Sequence, residues 1–193
     1  MKEKRVIAAL LAASMLVPGQ AMAAGPQDFS DFPSDWSTAA LISAVDNGLL
    51  RGTDGKIQPQ GILTRGELAA IVSRAFGASI EADLSGYGDM SQSAWYYSDM
   101  AKAVAMGVLQ GSGGKLNPTG AITREEVFVA LARAFGLEGG TAGDLSAFAD
   151  SGAVSSWAVS GVAALTAGGY VNGADGKLYP KRSITRAEFA QVV

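Results

Sequence analysis

Three arginines, Arg65, Arg124 and Arg186, each stand after a threonine and two residues before a glutamate. Nine positions ahead of each lies a lysine, Lys56, Lys115 or Lys177, preceded by Gly55, Gly114 or Gly176. Twenty-nine positions ahead of each arginine lies a tryptophan, Trp36, Trp95 or Trp157. Five to seven residues before each tryptophan stands an aspartate, Asp31, Asp89 or Asp150. An arginine at the first turn of a capped helix sits where free N–H groups and the helix dipole favour anions. A guanidinium grips a carboxylate with two parallel bonds. The lysine offers a second cation, the glycine allows φ > 0 and close backbone approach, and an indole face suits the C–H face of a sugar. The aspartates can accept sugar hydroxyls or orient the arginine. This set has the chemistry of holding an anion beside an apolar face. Each member also has a structural reading. The tryptophan can be a core residue at a helix start, the arginine can pair with a local carboxylate, and the lysine and glycine can be turn residues. The aspartate can cap a helix or a turn.

Composition narrows the classes. The chain has 193 residues, no His and no Cys, and a formal charge of −3. A Ser-His-Asp or Cys-His apparatus, a disulfide scaffold and a Cys/His zinc site are excluded. The charge offers no broad basic surface for nucleic acid. Paired carboxylates of a glycosidase would be possible, yet the recurring carboxylates stand at cap and connector positions, so the residues predict no enzyme. Asp54-Gly55 and Asp175-Gly176 lack the alternating ligands of an EF-hand. No metal or other cofactor is expected.

The positioning elements follow from repetition. From each tryptophan, nine positions are identical in all three units without a gap: the Trp, Gly at +12, +16 and +19, Lys at +20, Pro at +23, Thr and Arg at +28 and +29, and Glu at +31. One supersecondary unit is used three times. The spacing predicts a first helix from the tryptophan to the glycine twelve residues on, with an apolar stripe such as Trp36, Ala40, Leu41, Ala44 and Val45. Gly48, Gly107 and Gly169 stop it. A glycine-rich turn follows, and its flanking apolar residues are compatible with a very short hairpin. The second helix opens with the capping box Thr-x-x-Glu, stapled by Leu63, Ile122 and Ile184 against Leu68, Val127 and Phe189. The second box residues of the first two repeats, Gly66 and Glu125, are expected to face solvent.

Met1 to Ala23 has the pattern of an export signal. Lys2, Lys4 and Arg5 precede the apolar run Val6 to Val17, and Ala21-Met22-Ala23 forms a small-x-small cleavage site. The run is about 12 residues, against about 20 for a membrane span, so no transmembrane segment is expected after its removal. Losing three cations and Glu3 leaves 12 Lys+Arg and 17 Asp+Glu, a charge of −5. The expected organisation is signal 1–23, a short flexible leader 24–28, repeats at 29–77, 87–136 and 148–193, and linkers at 78–86 and 137–147. The third repeat ends within its second helix and reads as incomplete.

The pattern Trp…Gly…Gly-x-x-Gly-Lys-aliphatic-x-Pro…(Ile/Leu)-Thr-Arg-x-Glu resembles the S-layer homology (SLH) domain. Ile184-Thr185-Arg186-Ala187-Glu188 matches that family's signature in full. The resemblance implies a mainly α fold: a pseudo-threefold spindle with a central three-helix bundle and three prongs. It implies a non-catalytic anchor at the surface of a bacterial envelope. Grooves between repeats would bind a secondary cell-wall polysaccharide linked to peptidoglycan, often through a pyruvylated, hence anionic, sugar. Two further roles are compatible with it, self-assembly of a surface layer and anchoring of a larger surface enzyme.

Overall fold

The computed structural model describes residues 25–137 and 139–193; the export signal predicted at 1–23 lies outside them. Six α-helices are found among these residues: α1 (Thr38–Asp46), α2 (Arg65–Ala75), α3 (Tyr97–Ala105), α4 (Arg124–Ala134), α5 (Val159–Ala167) and α6 (Arg186–Ala190). The fold is mainly α, with two helices per repeat, and pairing between extended segments is limited to isolated bridges. No helix among the described residues is long and apolar enough to cross a membrane.

The first helices begin two residues later than the spacing predicts. Trp36, Trp95 and Trp157 occupy the turn before the helix. In the first repeat Asp35 accepts from the backbone N–H and hydroxyl of Ser37, which fixes that turn. The predicted stops hold. Gly48, Gly107 and Gly169 take φ of +67°, +71° and +70°. In the first repeat the Gly48 amide bonds to the Val45 carbonyl and the Leu49 amide to that of Ala44, a Schellman pair that recurs at Gly107 and Gly169. The short hairpin is also present. Thr53 pairs with Lys56, Ser112 with Lys115 and Ala174 with Lys177. The two residues inside each turn have positive φ, as Asp54 (+51°) and Gly55 (+68°) illustrate, the geometry of a type I′ turn.

All three capping boxes form. Thr64, Thr123 and Thr185 accept from the amides of Glu67, Glu126 and Glu188, and each glutamate reaches back to its threonine amide. The staple residues Leu63, Ile122 and Ile184 are fully buried. Their backbones join the three repeats. The Leu63 amide bonds to the Ile184 carbonyl, Ile184 to Ile122, and Ile122 to Leu63, at 3.0–3.1 Å. Arg65, Arg124 and Arg186 extend this closed ring through their amides, which bond to Gly120, Arg182 and Gly61. Around it, the second helix of each repeat packs on the first helix of the next: α2 on α3, α4 on α5, and α6 back on α1.

One expectation is corrected, and the connecting segments add to the core. Pro26–Asp28 and Ala142–Leu145 are 3₁₀ turns, and Phe29, Leu84 and Leu145 are buried. Phe29, Tyr87 and Phe148 lie against the loop glycine at +16, where a Cβ on Gly52 or Gly111 would come within 2.1 or 2.4 Å of the ring. The second box residues do not face solvent. Glu125 is 3% exposed and accepts from the Ser155 amide and hydroxyl and from Lys181. A Cβ on Gly66 would meet the Pro118 carbonyl oxygen at 3.0 Å. The ring brings the next repeat's loop over this position, which a view of one isolated helix does not reveal.

Candidate functional site

Three grooves line the junctions between repeats, and each takes parts from all three. The Trp157 groove, about 510 Å³, joins Arg65 of the first repeat, Gln110 and Glu126 of the second and Trp157 of the third. The Trp36 groove, about 380 Å³, joins Arg124, Asn172 and Glu188, and Trp36. The Trp95 groove, about 270 Å³, joins Arg186, Arg51 and Glu67, and Trp95. The order permutes cyclically, as the backbone ring requires.

The tryptophans are exposed at 61%, 65% and 56%. Their ring surface therefore stands in the grooves and not in the core. Large apolar rings left in solvent at three equivalent positions form platforms for an apolar ligand face.

The arginines are 9%, 7% and 8% exposed. Each spans a repeat boundary. Arg65 donates from Nε to the Leu116 carbonyl at 2.8 Å, from Nη1 to Glu126 Oε1 at 2.9 Å and from Nη2 to the Gln110 carbonyl at 3.0 Å. Arg186 repeats this with Ile57, with Glu67 at 3.1 Å, and with Arg51. Arg124 keeps the Nε bond to Leu178 and lies 5.2 Å from the Phe128 ring centroid, but its Nη1 is 3.7 Å from Glu188 Oε1. Burial lowers the pKa of Arg124 and Arg186, while Glu188 and Glu67 respectively oppose the shift. The capping glutamate thus closes its own helix with one oxygen and holds the neighbouring repeat's arginine with the other. The arginines tie repeats together as well as lining grooves.

The aspartates lie elsewhere. Asp31, Asp89 and Asp150 each accept two consecutive loop amides at 2.7–3.0 Å: those of Ile57 and Gln58, Leu116 and Asn117, and Leu178 and Tyr179. Their oxygens hold Gln58, Asn117 and Tyr179 at φ of +54°, +52° and +51°. Both carboxylate oxygens are spent on the loop, and neither the arginines nor the first helices are their partners. Burial pushes the Asp89 carboxyl up, the Leu116 and Asn117 amides outweigh it, and its pKa falls below the usual 3.8. A depressed folded pKa stabilises above the unfolded value and loses that contribution as pH drops through the folded one. Asp89→Asn should therefore flatten the fall in denaturation midpoint below about pH 3.8; an unchanged acid slope would contradict this role.

Lys115 lines the Trp157 groove. Lys56 and Lys177 sit in their turns outside the linings of the other two grooves, as do Gly55, Gly114 and Gly176. Most groove residues were not among the sequence candidates, Arg74, Arg133 and Arg182 among them. Arg74 and Arg133, in the last turns of α2 and α4, donate to the carbonyls of Leu49 and Val108. Arg182 donates to Glu188 and lies 5.0 Å from the Tyr179 ring centroid. The repeated Arg-Ala-Phe-Gly at the helix ends was the available signal for the first two. No cluster able to hold a metal ion is found among the described residues.

Comparison with known proteins finds the same three repeats. The S-layer homology domain profile matches residues 28–69, 86–128 and 147–190. The chain is 38% identical over 190 residues to the surface-layer 125 kDa protein of Lysinibacillus sphaericus, covering 95% of this chain and 16% of that one. It is 29% identical over 194 residues to the S-layer protein sap of Bacillus anthracis, covering 98% and 24%. It is 27% identical over 170 residues to the amylopullulanase of Thermoanaerobacterium thermosulfurigenes, covering 86% and 9%. The chain thus spans a quarter or less of these relatives. With three matched repeats and S-layer proteins among its relatives, the chain is an exported cell-surface protein and belongs to the S-layer homology domain family.

Proposed function

We propose that residues 29–77, 87–136 and 148–193 act together as a non-catalytic anchor that holds an exported protein to the cell wall. The ligand is a peptidoglycan-linked secondary polysaccharide with an anionic, pyruvylated sugar, bound in the grooves between repeats. One observation carries this reading: three exposed tryptophans each stand in a groove that also contains an inter-repeat guanidinium. The indole stacks on the sugar, and cations at the groove floor meet the carboxylate. The chain is acidic overall, at −3, so attraction to an acidic polymer must be local and screened by salt.

The test is a pull-down of the protein with purified wall sacculi, before and after chemical removal of the secondary polymer. Binding to intact sacculi, its loss on stripping, and its weakening between low salt and about 1 M salt, where screening acts within about 3 Å, are expected. Equal binding to both preparations would sink the polymer reading.

A further inference from the structure

The three grooves are built from the same parts, yet one guanidinium is arranged differently. In the Trp157 and Trp95 grooves, all three nitrogens of Arg65 and of Arg186 donate to protein acceptors. In the Trp36 groove only Nε of Arg124 does so. Its Nη1 stands 3.7 Å from Glu188, beyond hydrogen-bond distance, and no bond from its Nη2 is present. No buried side-chain nitrogen among the described residues lacks a partner. The two terminal nitrogens of this largely buried side chain therefore keep contact with solvent, and Arg124 lines the Trp36 groove.

Two residues of the third repeat cause the difference. Arg182 donates to Glu188 Oε1, the oxygen that in the other repeats holds the neighbour's arginine. The matching positions in the other repeats are Gly61 and Gly120, which have no side chain to compete. Gly173 takes φ +68°, whereas Gly52 and Gly111 are not in the left-handed region. The loop follows another path there, and the carbonyl of Asn172 accepts nothing from Arg124, unlike those of Gln110 and Arg51.

We infer that the Trp36 groove is the chain's strongest site for an anionic sugar, because Arg182 engages Glu188 and the loop at Gly173 takes another path, which together leave the terminal nitrogens of Arg124 open to a carboxylate. The inference rests on the groove reading above. Long-range charge works the other way, since Lys115 and Arg133 add cations to the Trp157 groove. Contact geometry decides, because a guanidinium fork with two open donors forms the paired bonds that a solvated lysine does not. Arg182 stands beside it as a second cation over Tyr179.

One tryptophan per groove gives three separate reporters. Uniformly ¹⁵N-labelled protein would be titrated with glucuronate, with glucose as the neutral control, while the three indole N–H signals are followed. The Trp36 signal should reach half-shift at a glucuronate concentration at least about fivefold below those of Trp95 and Trp157, equivalent to about 1 kcal/mol. Glucose should not reproduce the effect. Arg182→Gly copies the other repeats and frees Glu188 for Nη1 of Arg124, while Nη2 stays without its loop carbonyl, so it should cut the Trp36 advantage to under about threefold. Equal half-shifts in the wild-type protein, an earlier shift at Trp157 or Trp95, or a Trp36 advantage undiminished by Arg182→Gly would each overturn the inference. The groove reading itself is judged separately, by whether removing all three tryptophans abolishes sacculus binding.

Discussion

Alanine at Trp36, Trp95 and Trp157 together is expected to lower affinity for intact wall sacculi about 100-fold or more, with the far-UV circular dichroism unchanged. Each indole stands more than half exposed in its groove, so its removal opens no core cavity and the fold should persist. An aromatic contact of this kind contributes about 1 kcal/mol beyond its buried area, and 1.4 kcal/mol corresponds to a tenfold change. Losing such contacts in three grooves that engage one polymer multiplies the effect. The measurement is a binding isotherm of wild-type and triple-variant protein on the same sacculus preparation. Affinity within about threefold of wild type would show that the grooves are not the binding surface.

Arg65→Ala is expected to cost about 3 kcal/mol of folding stability, read as the midpoint shift in urea unfolding. The residue is 9% exposed, and its side chain holds Glu126 and the carbonyls of Leu116 and Gln110. Its loss strands two acceptors and one part-buried carboxylate at a repeat boundary. Arg65→Lys should fall between, since an ammonium can reach the glutamate but cannot match the planar fork. The contrast is Lys102 with Glu81, 4.0 Å apart at the surface, where substitution should change stability by under about 1 kcal/mol. If Arg65→Ala costs as little as that exposed pair, the guanidinium is no tie between repeats.

Local features were legible in the sequence. The stop glycines, the Thr-x-x-Glu boxes and the staple residues depend on neighbours within a few positions, and each formed as the spacing required. Features set by one repeat acting on another were not. Glu125 read as a solvent-side helix residue because its partners, Ser155 and Lys181, lie 30 and 56 residues away. The arginines read as candidate ligand cations with a structural alternative, and the ring geometry gives them inter-repeat partners 45 to 135 residues distant. The aspartates recurred because they hold a loop backbone, a role no spacing argument separates from sugar contact. Arg182 was passed over because it does not recur, since glycine stands at both matching positions.

The closed backbone ring through Leu63, Ile122 and Ile184 also sets when the protein can function. Each groove needs one part from every repeat, so none is complete while the third repeat is still being synthesised or translocated. The last tie joins Arg186 to Ile57, 129 residues apart, and forming it carries the entropy cost of closing the whole circuit. Completing the fold and completing the grooves are therefore one event: a chain without its third repeat has Trp36 and Trp95 and no finished groove.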